Sequence, residues 1–169
     1  TAFRLKEKAQ QAGLLVSFDP NLRPQLWPST EVMREFMHAF AAGCDLFFPG
    51  IGEAQLLTGL SDPAAILDFY CKLGAKTVIL KDGSKGAHYQ NAQERGTVAG
   101  FQVEVIDTVG AGDGFAAGTL SGLLEKLPLP EAIRRGNAIG ARQITVPGDN
   151  EGLPTREQLQ QFFNQHQEA

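Results

Sequence analysis

Cysteine is scarce. The chain holds two, Cys44 and Cys71, without metal-like spacing, and two are too few to organise 169 residues as a disulfide scaffold. Sparse thiols of this kind fit a reducing cytoplasm. No Lys/Arg run occurs and the formal net charge is −4, which argues against nucleic acid or an anionic membrane surface as a partner. No apolar stretch approaches the ~20 residues of a membrane span. A G-x-x-x-x-G-K-[ST] phosphate loop is absent, as are internal repeats and low-complexity linkers. The sequence also lacks an initial Met and a signal-peptide pattern. It opens "TAFRLKEKAQQAG", which reads as a helix entered midway and predicts a piece of a longer protein.

What remains is ordinary globular material, 43% apolar and 20% charged, long enough for one domain with a sizeable core. A helix-like opening stops at Gly13, and the apolar run "LLVSF" (14–18) reads as a buried strand. "DPNLRPQLWPS" is too rich in Pro for regular structure. Ser29 or Thr30 can cap a helix whose apolar face is Val32, Met33, Phe36, Met37 and Phe40. "CDLFFP" (44–49) and "KTVIL" (76–80) read as further buried strands. They flank a short helix in "GEAQLLTG" and a longer one entered at Asp62-Pro63 and ended near Gly74. "GAHYQ", "ERGTVA" and "FQVEVI" suggest antiparallel strands. Helices then run from about Gly114 to Lys126, from Pro130 to Ile144, and from Thr155 onward. Helices alternating with buried strands predict an α/β fold with a largely parallel sheet. Phe47, Phe48 and Phe101 are expected in the core, and His38, His88 and His166 form no cluster.

The segment "VIDTVGAGDGFAAG" (105–118) carries the chemistry. Its glycines admit three readings. One is a tight turn followed by close helix packing. The second, a dinucleotide fingerprint, fails because Phe115 stands where the third glycine belongs and because a helix, not a strand, follows. The third is an anion nest, in which the successive amides of Gly110, Ala111, Gly112 and Asp113 open a helix. An acid beside such a nest would hinder simple phosphate binding. It makes sense where a substrate hydroxyl must lose its proton, since carboxylates are ionised at neutral pH and can accept one. Asp113 then acts as general base beside amides that hold a transferring phosphoryl group.

On these residues the chain resembles the ribokinase-like (PfkB) sugar kinases, whose C-terminal signature is similar to "DTVGAGD". Further landmarks follow in the family's order over nearly the whole chain: "FDPNLRPQLW" with its D-x-N-x-R, and "KDGSKGA" (81–87), similar to the nucleotide-side loop. The resemblance implies a three-layer α/β/α fold with helices on both faces of a mostly parallel sheet and antiparallel strands at one edge. Residues 1–169 would form the C-terminal ATP-binding and catalytic portion of one kinase domain, without the N-terminal part and lid.

By resemblance, Asn21 belongs near the ATP phosphates, and Lys81, Gly83, Ser84 and Gly86 wall the nucleotide with Gly110, Gly112 and Asn137. Arg23 would meet the carboxylate of an acid sugar, although a surface ion pair is its simpler use. Asp149 is a candidate for a substrate hydroxyl. Glu53 would hold a water on Mg²⁺ or merely complement a helix dipole. The family's usual N-x-x-E is here "GIGE", with Gly50 in place of Asn. Asp107 would either hold a monovalent cation such as K⁺ or tie the turn to nearby amides. The implied reaction is ATP-dependent phosphorylation of 2-keto-3-deoxygluconate at its 6-hydroxyl, with fructose as the rival substrate. The implied partners are ATP and a small sugar or sugar acid, in a homo-oligomer when intact. A nucleotide-binding fragment without activity of its own is the reading from another class.

Overall fold

A computed structural model describes residues 1–166. The chain divides into two compact units, one of residues 1–81 with 88–96, the other of 82–87 with the chain from 97 onward. The sequence contains no linker to signal this division.

The first unit is built on a sheet of order β1-β2-β3-β4-β5, with β1 at Ser17–Phe18, β2 at Leu46–Phe47, β3 at Thr77–Lys81, β4 at Ala87–Gln90 and β5 at Arg95–Val98. Helix α1 (Ala2–Gln11) precedes β1, α2 (Thr30–Ala41) joins β1 to β2, and α3 (Ile51–Thr58) and α4 (Pro63–Leu73) join β2 to β3. These crossovers leave β1/β2 and β2/β3 parallel, with Ser17 opposite Leu46 and Phe47 opposite Val78. Connections 82–86 and 91–94 are too short for a parallel crossover, so β4 and β5 close the sheet in antiparallel fashion.

Local signals set the helix ends. The Ser29 hydroxyl accepts the Val32 amide at 3.3 Å, and Asp62 accepts that of Ala65 at 2.9 Å with Pro63 in the first turn. Gly74 stops α4 in the left-handed conformation. Lys6, buried on α1, donates to the Phe40 and Ala42 carbonyls and so satisfies the C-terminal end of α2. The core joins Phe47, Val78 and Leu80 of the strands to Ile66, Leu67 and Tyr70 of α4 and Ala54 of α3. Of the predicted α2 face, Met33 and Met37 are buried, whereas Val32 is exposed.

Strand lengths differ from expectation. The runs at 14–18 and 44–49 form ladders at 17–18 and 46–47, and Leu14 and Leu15 lie exposed outside the paired region. "FQVEVI" is irregular, not a strand. Its period of two holds only for the first half: Phe101 and Val103 pack on Ala138, Ala141 and Phe162, a helical surface that offers no ladder, whereas Val105 is exposed.

The second unit is dominated by α5 (Ala111–Leu124) against α6 (Leu129–Gln143), with α7 (Arg156–Gln165) after them. Thr155 and Gln158 form a capping box at the start of α7. Gly114, Gly118 and Gly122 recur every four residues on α5 and face α6. A Cβ on Gly118 would lie 3.0 Å from the Gly136 Cα, and one on Gly122 2.9 Å from the Ala132 Cα. Close helix packing therefore accounts for the later glycines of the signature. Gly136→Ala would bring its methyl 2.7 Å from the Phe115 carbonyl oxygen and 2.2 Å from the Thr119 hydroxyl. The expected result is a loss of about 1–3 kcal/mol in urea unfolding.

Candidate active site

The signature turn belongs to the second unit. Gly110, at φ +74°, is the N-cap of α5, and Asp113 lies in its first turn. Among the described residues the amides of Gly110, Ala111, Gly112 and Asp113 have no hydrogen-bond partner, as the opening of a helix allows. The Asp113 side chain is exposed and likewise has no hydrogen bond or ion pair among the described residues. Four amides and one carboxylate, all unengaged, sit in a single helical turn. Such amides carry the positive end of the helix dipole and suit a phosphoryl group.

Asp107 shapes this turn. Its Oδ1 accepts the Val109 amide at 3.1 Å and its Oδ2 the Gly148 amide at 3.1 Å, binding the turn to the loop before α7. The Gly148 amide first, then those of Val109 and Thr108, hold the Asp107 carboxyl below the usual carboxylate range. In that same loop the Asp149 carbonyl lies directly over Gly110: a Cβ built there would be 2.2 Å from it. The Asp149 side chain is itself exposed.

The nucleotide-side loop is equally tight. Gly83–Lys85 forms one 3-10 turn, closed by the Asp82 amide donating to the Gly86 carbonyl at 2.8 Å. Gly86 is buried, and a Cβ on it would fall 2.0 Å from the Val98 carbonyl. Gly83 and Ser84 are exposed, with the Ser84 carbonyl accepting from the Gln102 amide at 3.2 Å. Asn137 is buried on α6, and its side-chain amide donates to the Val98 and Ala99 carbonyls at 3.2 and 3.0 Å. Those donors hold the chain at the end of β5.

The first unit holds the rest. Asn21 stands at φ +40°, and Arg23 Nη1 donates to its Oδ1 at 2.7 Å and to the Leu22 carbonyl at 2.9 Å. Both side chains are exposed. Among the described residues Nε and Nη2 of Arg23 have no partner, which leaves half of the fork open. Glu53 accepts the Leu22 amide on Oε1 and the Gly50 amide on Oε2, both at 2.7 Å. Its carboxylate thus ties the D-x-N-x-R loop to the start of α3, a use the helix-dipole reading only half anticipates. Each oxygen keeps a lone pair. Lys81 faces Asp19 at 2.5 Å. Burial raises the Asp19 carboxyl above the ordinary range and Lys81 pulls it back, while Glu53 adds to the rise. Among the described residues no three His, Cys, Asp or Glu side chains cluster as a metal site.

Comparison with known proteins supplies the family. The model for pfkB family carbohydrate kinases matches residues 1–156. The chain belongs to the pfkB family of carbohydrate kinases. It is 47% identical over 163 residues to 2-dehydro-3-deoxygluconokinase of Bacillus subtilis (strain 168), covering 96% of this chain and 50% of that relative. A PfkB protein from Polaromonas sp. JS666 superposes with a TM-score of 0.83 at 44% identity, covering 94% of this chain and 50% of that one. Fructokinase from Vibrio cholerae O395, a double mutant in a fructose, ADP and potassium ion bound form, gives 0.87 at 29% identity over 95% of this chain and 54% of that one. The chain therefore spans about half the length of the relatives it matches, and its mixed five-stranded sheet with helices is the ribokinase-like arrangement.

Two features escaped the sequence reading. Asp19 has no assigned role in the D-x-N-x-R pattern, although an acid ending a buried strand needs a counter-charge. The Val98–Ala99 carbonyls that engage Asn137 carry no sequence signal at all.

Proposed function

We propose that the chain is the C-terminal ATP-binding and catalytic portion of a single PfkB kinase domain, and that the intact enzyme phosphorylates 2-keto-3-deoxygluconate at its 6-hydroxyl. The observation that carries this reading is the turn at 110–113, where four unengaged amides adjoin an unengaged carboxylate. In the reaction the sugar oxygen attacks the γ-phosphorus of ATP and the bond to the bridging β,γ-oxygen breaks. ADP leaves, and the hydroxyl proton passes to Asp113. The amides of Gly110 to Asp113 hold the charge on the migrating phosphoryl oxygens.

Within the second unit, Gly83, Ser84, Gly86 and Asn137 are the residues assigned to the nucleotide, and Asn21 is the first unit's candidate for its phosphates. Mg²⁺ accompanies the ATP phosphates, and Glu53, with a lone pair left on each oxygen, fits a water of that ion. Asp107, similarly left with lone pairs, fits a monovalent cation such as potassium beside the turn. Asp149 is available to a substrate hydroxyl.

The open half of the Arg23 fork suits a carboxylate, which favours the acid sugar over fructose. Coupled ADP-release assays of the intact enzyme test this, and 2-keto-3-deoxygluconate is expected to give far the higher kcat/KM. Arg23→Ala is expected to raise KM for the acid sugar by roughly 10–100-fold, as loss of a charge-assisted bond does, and to leave a neutral sugar untouched. Equal use of fructose, with no selective effect of Arg23→Ala, would turn the assignment to a fructokinase.

A further inference from the structure

The loop bearing Asn21 and Arg23 is fastened at two points by charged groups. Behind it, Asp19 Oδ2 meets Lys81 Nζ at 2.5 Å, with both side chains about four-fifths buried, at 21% and 17% exposure. Ahead of it, the Leu22 amide is held by Glu53 at 2.7 Å while the Leu22 side chain enters a cluster with Met33, Met37 and Leu57. Asn21 lies between these anchors in a left-handed conformation uncommon for a residue with a side chain, and its amide turns back onto Asp19 Oδ1 at 3.3 Å. Lys81 is itself fixed at the end of β3, where its amide donates to the Pro49 carbonyl and it bridges to Gly50 beside Glu53. One ammonium and two carboxylates thus share a half-buried patch at the strand ends.

We infer that Lys81 is a positioning residue that acts through Asp19 to set the substrate loop, and that its role is not to donate to a nucleotide phosphate. This deepens the kinase reading and rests on it. Without Lys81, the largely buried Asp19 carboxylate faces Glu53 with no counter-ion. It then either takes up a proton or swings toward water, and the turn at Asn21 loses its rear anchor. The harm therefore depends on the acid at position 19 and is relieved by removing that acid's charge.

The test is a set of three variants of the intact enzyme, Lys81→Met, Asp19→Asn and the double substitution. Each is assayed for KM of sugar acid and ATP and for hydrogen exchange of the peptide spanning 19–26. Lys81→Met is expected to raise the sugar-acid KM about tenfold, the effect of one lost charge-assisted restraint. Because the loop also carries Asn21, the ATP KM should rise with it but by less, and exchange in the peptide should speed up. Adding Asp19→Asn is expected to recover most of both losses, which a direct phosphate contact would not allow. A rise confined to the ATP KM, unchanged exchange, or a double variant no better than Lys81→Met would overturn the inference. If the wild-type enzyme phosphorylates no sugar, the kinase reading falls alone, and the exchange comparison still decides the clamp.

Discussion

Gly110→Ala in the intact enzyme is expected to lower kcat by about 10²-fold or more, the scale of one lost oxyanion-type donor. Two causes act together. The φ of +74° at this position disfavours a side chain by roughly 1–2 kcal/mol. The new methyl would also fall 2.2 Å from the Asp149 carbonyl oxygen and 3.0 Å from Asp149 Oδ1. The turn cannot simply push that loop aside, because Asp107 binds both: its carboxylate holds Val109 on one side and Gly148 on the other. Relief must come from rotating the peptide planes at 110 and 111, which spoils the convergence of the amides. Thermal melting should show a folded protein, and kcat at saturating ATP and sugar acid is the quantity to measure. A kcat within about threefold of wild type would mean that these amides do not stabilise the migrating phosphoryl group.

The glycines of the signature answer to two demands at once. Gly110 serves the turn, and Gly114, Gly118 and Gly122 let α5 approach α6. The sequence offers the two together as one reading, a tight turn followed by close helix packing, and the structure divides the segment in that order. The caps at Ser29, Asp62 and Thr155 were legible for a local reason, since donor and acceptor lie within three residues of each other. Nearly all that was missed is long-range. Lys81 reaches Asp19 across 62 residues, Glu53 reaches Leu22 across 31, and Asn137 reaches Val98 across 39. Residue type makes each of these polar groups need a partner, but nothing in the local pattern says which. Likewise "FQVEVI" has the alternation of a strand, Phe101 and Val103 of it are packed, and whether a sheet or a helix covers them is a tertiary matter.

The same distinction bears on the candidate ligands. The resemblance implies ligand contacts for Glu53, Lys81 and Asn137, and each is engaged with the protein's own backbone or charges. Asp113 is different. It is exposed on the first turn of α5, carries no bond among the described residues, and has unengaged amides around it. A carboxylate that contributes nothing visible to the fold is the one whose loss should be felt in chemistry rather than stability.

Asp113→Asn removes the basic oxygen and keeps the shape and the capacity to hydrogen-bond. General base catalysis contributes on the order of 10²–10⁴ to a rate. The substitution is therefore expected to lower kcat by about that factor, with KM for ATP and for the sugar acid changed only a few-fold, because neither substrate needs the base in order to bind. A large rise in KM without loss of kcat would make Asp113 a binding group.

The most direct measurement is the single-turnover rate of phosphoryl transfer to 2-keto-3-deoxygluconate by intact enzyme preloaded with ATP, compared between wild type and Asp113→Asn. Sugar-dependent transfer is expected in the wild type, and transfer about 10³-fold slower in the variant at unchanged ATP affinity. Transfer at the wild-type rate by the variant would contradict it.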